Sequence, residues 1–278
     1  MSVAEAQVWT SAFRTPRNSA AEVKGSIHDD ATASKLGFRG GTVAGSIHMD
    51  QFVPGLLALY GDDWFDTGGL SLYFTKATVD AEPVRAVVEA GAERARLTMH
   101  DEAGAQICEG TASPGRDPRS ELAKRLEAQT PAEPEQLRIL KDLKVGDECH
   151  DIPVRVEPEV LLKALETLTE PLPAYRDALI LPPSHLVRLT HQSRSHVLAK
   201  AGKSVGLFGA LETEQLAGPV RAGVDYVART RMLKLSESPK TENAWYEVIV
   251  APKAGGPDVC RVLYYLRFMK GSSPLWTD

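Results

Sequence analysis

The chain reads as an α+β protein built twice on one plan, a central helix followed by antiparallel strands curled round it. Residues 46–60 carry Ile47, Met49, Phe52, Val53, Leu56, Leu57 and Tyr60 at helical spacing. Apolar side chains on more than one face mark a helix that other elements enclose. Short β-rich runs follow it directly, and the order of turn, helix and strands returns in the second half.

Taken in order, Gln7–Phe13 has the make-up of a short strand, and 14–27 is polar loop. The glycine-dense segment 37–45 predicts a turn that no regular element tolerates. Pro54 kinks the helix of 46–60 or starts its second part. Leu70–Val79, Val84–Ala90, Arg94–His100 and Ala105–Ala112 are β-rich runs, with Glu82-Pro83, Gly91 and Asp101–Gly104 as the turns between them. Residues 113–136, rich in proline and charge, form the linker, with a short helix over Ser120–Gln129. Beyond it, Val156–Leu168 is helix-like, and Leu181-Pro182-Pro183-Ser184-His185 leads into a second helix reaching about Lys200. Strands follow at Val205–Leu211, Val220–Leu235, Asn243–Ala251 and Val259–Phe268. This organisation divides the chain into units at 1–113 and 137–278, joined by 114–136. Two such units are expected to pair their sheets and so satisfy exposed strand edges.

Composition narrows the function. With 43% hydrophobic and 25% charged residues the chain can bury a substantial core. A formal charge of −5 argues against a nucleic-acid surface and gives no reason to expect anionic lipid. Cys108, Cys149 and Cys260 are too scattered for a disulfide framework or a zinc site. His185, His191 and His196 do not share one helical face, so metal ligation is not expected either. No signal-like N-terminus and no apolar run long enough to span a membrane is present, so a cytoplasmic protein is expected.

The chemistry concentrates in residues 26–66. Ser26-Ile27-His28-Asp29-Asp30 sets an imidazole beside two carboxylates, and Gly37-Phe38-Arg39-Gly40-Gly41 turns the chain towards Val43-Ala44-Gly45 and the helix. Polar residues leading into a helix N-terminus, with glycines that leave backbone N–H groups open, suit the binding of a carbonyl oxygen. Asp29 and Asp30 also fit turn or capping positions. His48 lies two residues from Asp50, on another face of the helix.

Ile27-His28-x-Asp30, Ala33, Gly37-Phe38 and Gly45 ahead of an apolar helix resemble the hydratase motif of MaoC-like (R)-specific enoyl-CoA hydratases and dehydratases. The resemblance implies a double hot-dog fold, α+β with two antiparallel sheets each wrapped round a central helix. It also implies an acyl-thioester hydratase or dehydratase. His28 would be the base and Gly45 the donor to the enolate oxygen, with Gly41, Ser46 and His48 lining the substrate. The sequence departs from that pattern at two places: the acid expected five residues before the His is Val23, and the His before Gly45 is Ala44. A second resemblance supplies an acid. Gly45-x-x-x-x-Asp50 has the spacing of the β-hydroxyacyl-carrier-protein dehydratases. In that family the acid on the helix works with a His, and each site is assembled from two hot-dog units.

The sequence reading therefore places catalysis on His28 and Asp50, with His28→Ala expected to cut turnover at least about 100-fold. The substrate would be a small-molecule thioester of coenzyme A or a carrier protein, with no resident cofactor or metal, no nucleic-acid or membrane partner, and room for a homodimer. An acyl-CoA thioesterase with Asp50 as base or nucleophile, and a non-catalytic acyl-CoA-binding protein, are the rival expectations.

Overall fold

The computed structural model describes residues 7–276. Its first half contains β1 (Val8–Thr10), α1 (Asp30–Lys35), α2 (Gly45–Asp50), α3 (Val53–Tyr60), α4 (Trp64–Thr67), β2 (Gly69–Phe74), β3 (Val84–Glu89), β4 (Ala95–Asp101) and β5 (Gln106–Ser113). After α5 (Glu121–Ala128) come β6 (Glu148–Val154), α6 (Pro158–Ala164), α7 (Pro173–Asp177), α8 (Pro183–His191) and α9 (Arg194–Val197). The chain then forms β7 (Gly206–Gln215), β8 (Tyr226–Glu237), β9 (Thr241–Pro252) and β10 (Cys260–Met269).

The strands form one continuous ten-stranded sheet, β1-β3-β4-β5-β2-β7-β10-β9-β8-β6, in which the two expected sheets are joined edge to edge. The halves meet where β2 pairs antiparallel with β7, Leu72 facing Leu211. Each of these strands would otherwise leave a row of unpaired backbone groups, and the seam satisfies both. Every strand pair is antiparallel.

The helix of 46–60 is interrupted after Asp50, and its second part, α3, begins with Pro54 in its first turn. Proline fits there because it has no N–H to offer to the preceding turn. Leu70 and Leu72 of β2 and Tyr264 of β10 are fully buried beside Met49, Phe52 and Leu56 in the main core. Burying each such side chain stabilises the fold by about 2 kcal/mol. Within that core α2 packs on α8, while α3 reaches β1 and β3, so the first half-sheet curls about its helix.

The sequence reading missed α4 and α7 and began β8 at Val220 where it begins at Tyr226, and three further differences have local causes. β6 was not foreseen, because it is a largely exposed edge strand with polar residues, Pro153 and a register shift between Cys149 and Ile152. The helix after Leu181 divides into α8 and α9; Thr190 and Ser193 hydroxyls bond back to the carbonyls of Leu186 and Thr190 and compete with its continuation. β2 ends at Phe74, where the amides of Thr75 and Lys76 turn to the Ile107 carbonyl. The expected short helix of the linker is α5, capped by Ser120. Leu122 anchors it among Ala210, Trp245 and Leu263, away from the central helices.

Candidate functional site

His28 sits in a braced loop. Its carbonyl accepts from Asn18 at 2.8 Å, and the neighbouring Ile27 carbonyl accepts from the Thr42 amide at 2.9 Å. The ring nitrogen Nδ1 lies 2.7 Å from the Thr42 carbonyl. A carbonyl only accepts, so Nδ1 carries a proton, and in the neutral ring the lone pair is on Nε2. The adjacent carboxylates are engaged elsewhere. Asp29 accepts from Thr32 Oγ1 at 2.8 Å, and Asp30 accepts from the Gly41 amide at 2.6 Å. Gly41 is required here because a Cβ would stand 2.3 Å from the His28 carbonyl oxygen. Val23, at the position of the missing family acid, is 55% exposed, and Glu22 beside it is exposed too.

Gly45 begins α2, and a Cβ at this residue would lie 2.6 Å from the Phe74 ring. Ser46 is buried in the same turn. His48 is 3% exposed; its Nε2 meets Thr78 Oγ1 at 2.8 Å and its Nδ1 has no partner. Burial pushes His48 down to about 4, so it is a neutral core imidazole near pH 7.

Asp50 is in a different setting. It is 1% exposed, and its Oδ1 accepts from the Ser184 amide at 2.8 Å, across the two halves of the chain. α8 needs this contact. It begins Pro182-Pro183, and neither proline offers a capping oxygen or an N–H, so Ser184 holds the first free amide of the helix. A carboxylate from the first half caps the central helix of the second. The other oxygen, Oδ2, has no partner. Burial raises the Asp50 pKa to about 7, opposed by the hydrogen bonds from Ser184.

Further polar groups surround this junction. The Ser184 hydroxyl is 3.1 Å from His185 Nδ1, and His185 Nε2 is buried without a partner. Burial and the charge of Arg188 push His185 down to about 4. Tyr175, fully buried, also has an unpartnered hydroxyl, and its phenol is pushed up by burial and by the Asp50 charge. Neither side-chain atom of Gln51 finds a partner, although the residue is 0% exposed. Unpaired buried polar atoms each cost about 1–3 kcal/mol, so these groups weigh against stability.

The structure thus joins Asp50 to the Ser184 amide, and His185 to the Ser184 hydroxyl. It joins His28 to Thr42 and His48 to Thr78, with no hydrogen bond from Asp50 to either imidazole among the described residues. Ser184, Tyr175 and Gln51 were not site candidates in the sequence reading, and His185 was weighed there only as a metal ligand. The one available signal was Pro182-Pro183, a helix start that cannot cap itself.

No protein-family model matches the sequence, and no curated protein matches it either. Solved structures do. A MaoC domain protein dehydratase from Chloroflexus aurantiacus is 12% identical, with 95% of each chain covered and a TM-score of 0.63. A Mycobacterium tuberculosis protein with a double hotdog fold is 14% identical, with 96% of each chain covered and a TM-score of 0.62. A MaoC-like dehydratase is 14% identical over 96% of this chain and 99% of its own, at a TM-score of 0.55. The chain therefore has the double hot-dog fold, the fold of MaoC-like dehydratases.

Proposed function

We propose that the protein catalyses reversible hydration of an α,β-unsaturated acyl thioester, with the reaction centre where α2 meets α8. The observation that carries this reading is the Asp50 carboxyl: buried, held through one oxygen, free at the other, and titrating at about 7. A group whose pKa lies near the working pH gives and takes protons with the least penalty.

In the hydration direction Oδ2 takes a proton from water as the water oxygen bonds the β-carbon. The alkene electron pair moves towards the α-carbon and the thioester oxygen. The same Oδ2 returns the proton to the α-carbon, so Asp50 ends as it began and the product is substrate plus water. Neutral His185 supports the enolate. Where the Ser184 hydroxyl donates to Nδ1, the ring proton sits on Nε2, an unpartnered donor available to the developing oxyanion. The substrate is a thioester of coenzyme A or of a carrier protein, and the steps call for no resident cofactor. The likeness to MaoC-like dehydratases favours hydration over other uses of a buried carboxylate, as an analogy of fold.

Asp50→Asn tests this. It keeps an oxygen for the Ser184 amide and removes the titrating proton. Loss of the conjugated enoyl absorbance should slow by at least about 100-fold, with the fold intact. Hydration within a few fold of wild type would reduce Asp50 to a helix cap, and release of free thiol by the wild type would assign the site to thioester hydrolysis. A second reading places the base at His28, favoured by the Thr42 carbonyl that leaves Nε2 free.

A further inference from the structure

A half-buried guanidinium in a folded chain is ordinarily balanced by a carboxylate, because it stays charged at every accessible pH. Arg194 has no such ion pair among the described residues. Its hydrogen-bond partner is His191, Nη1 to Nε2 at 3.4 Å. Arginine can only donate, so His191 Nε2 accepts and the remaining ring proton is on Nδ1. The guanidinium lies over the start of β7, where its Nη2 is 3.3 Å from the place a Cβ of Gly206 would take. Phe208 stands edge-on to His191 at 5.7 Å between ring centres, and Tyr264 does so at 6.3 Å. Tyr246 stacks on Tyr264 at 4.6 Å and is 1% exposed. The Tyr264 hydroxyl is engaged by Thr190 and the Val187 carbonyl, whereas the Tyr246 hydroxyl has no partner. The positive charge of Arg194 acts on both phenols. His191, Arg194, Gly206 and Phe208 are all half-exposed, so this niche opens to solvent.

We propose that the niche binds an anionic group, a carboxylate or a phosphate, with Arg194 as the counter-charge and His191 Nδ1–H and the Tyr246 hydroxyl as further donors. His191 ends α8, the helix whose start meets Asp50, and Arg194 begins α9 just beyond it. From Ser184 to His191 at 1.5 Å per residue is about 10 Å. Combined with the reaction centre proposed above, on which this step rests, the niche defines the substrate class. It is an acyl thioester that carries an anion at the far end of its acyl chain or on the phosphate-bearing arm of its thiol carrier.

Calorimetric titration of wild type and Arg194→Gln with undecanedioyl-CoA, undecanoyl-CoA and undecanoyl-pantetheine separates these sources without any turnover. An acyl-end anion makes undecanedioyl-CoA bind at least about tenfold tighter than undecanoyl-CoA. A carrier phosphate makes undecanoyl-CoA bind tighter than undecanoyl-pantetheine by a similar factor. In either case the advantage disappears in Arg194→Gln, and Gly206→Val, which displaces the guanidinium, reproduces the loss at an unchanged melting temperature. Equal binding of all three by wild type and Arg194→Gln overturns the proposal, and so does the absence of binding to wild type. Failure of the Asp50 chemistry would leave these affinities as they are.

Discussion

Asp50→Asn should change the pH dependence of stability in a direction set by burial. The Asp50 pKa rises from 3.8 to about 7 on folding, chiefly because its charged form loses water. The folded protein holds this proton more tightly than the unfolded chain does. Stability contributed here is therefore complete below about 4, falls as pH rises towards about 7, and levels off above it. The shift corresponds to about 4 kcal/mol between the two plateaux. Asparagine cannot ionise, so the variant lacks this fall while its oxygen still meets the Ser184 amide. Urea midpoints of both proteins, measured from about pH 4 to about pH 8, should diverge, with the variant gaining on wild type as pH rises. Parallel curves would refute the buried, unpaired carboxyl and the proton carrier proposed from it. A variant that is more stable at neutral pH and inactive would assign the unfavourable burial of this carboxyl to function.

Other expectations concern single contacts. His28→Ala should leave hydration within about tenfold of wild type if the centre is the α2–α8 junction; a loss of about 100-fold or more in a steady-state assay would move the base to the motif loop. Glu242, fully buried, accepts from the amides of Arg138, Ile139 and Leu140 and from Trp276 Nε1, so Glu242→Ala strands these donors. A loss of about 3 kcal/mol or more by denaturant unfolding is expected. Gly45→Ala puts a methyl into the Phe74 ring and should cost about 1–3 kcal/mol in the same measurement; no loss would mean the ring moves freely.

The strands after Gly69 and after Val205 were legible because alternation and turn residues are local signals, and β-branched runs carry them. The break near Pro54 was legible for the same reason, since proline acts on its own turn. β6 was not: an edge strand has little to bury, and Glu148–Val154 received no assignment in the sequence reading. The braced loop of His28 could be anticipated from its glycines and motif spacing, although the Thr42 carbonyl that fixes its tautomer could not.

The sequence by itself determined that a glycine-rich turn feeds a buried helix, that Asp50 lies on it, and that the plan repeats. Only the tertiary structure decided what Asp50 meets. Its partner, Ser184, is 134 residues away and lies at a helix start that two prolines leave uncapped. Hydrogen bonds between helices from different halves leave no periodicity in either one. The pKa that makes this carboxyl useful comes from burial, which is a property of the packed interface.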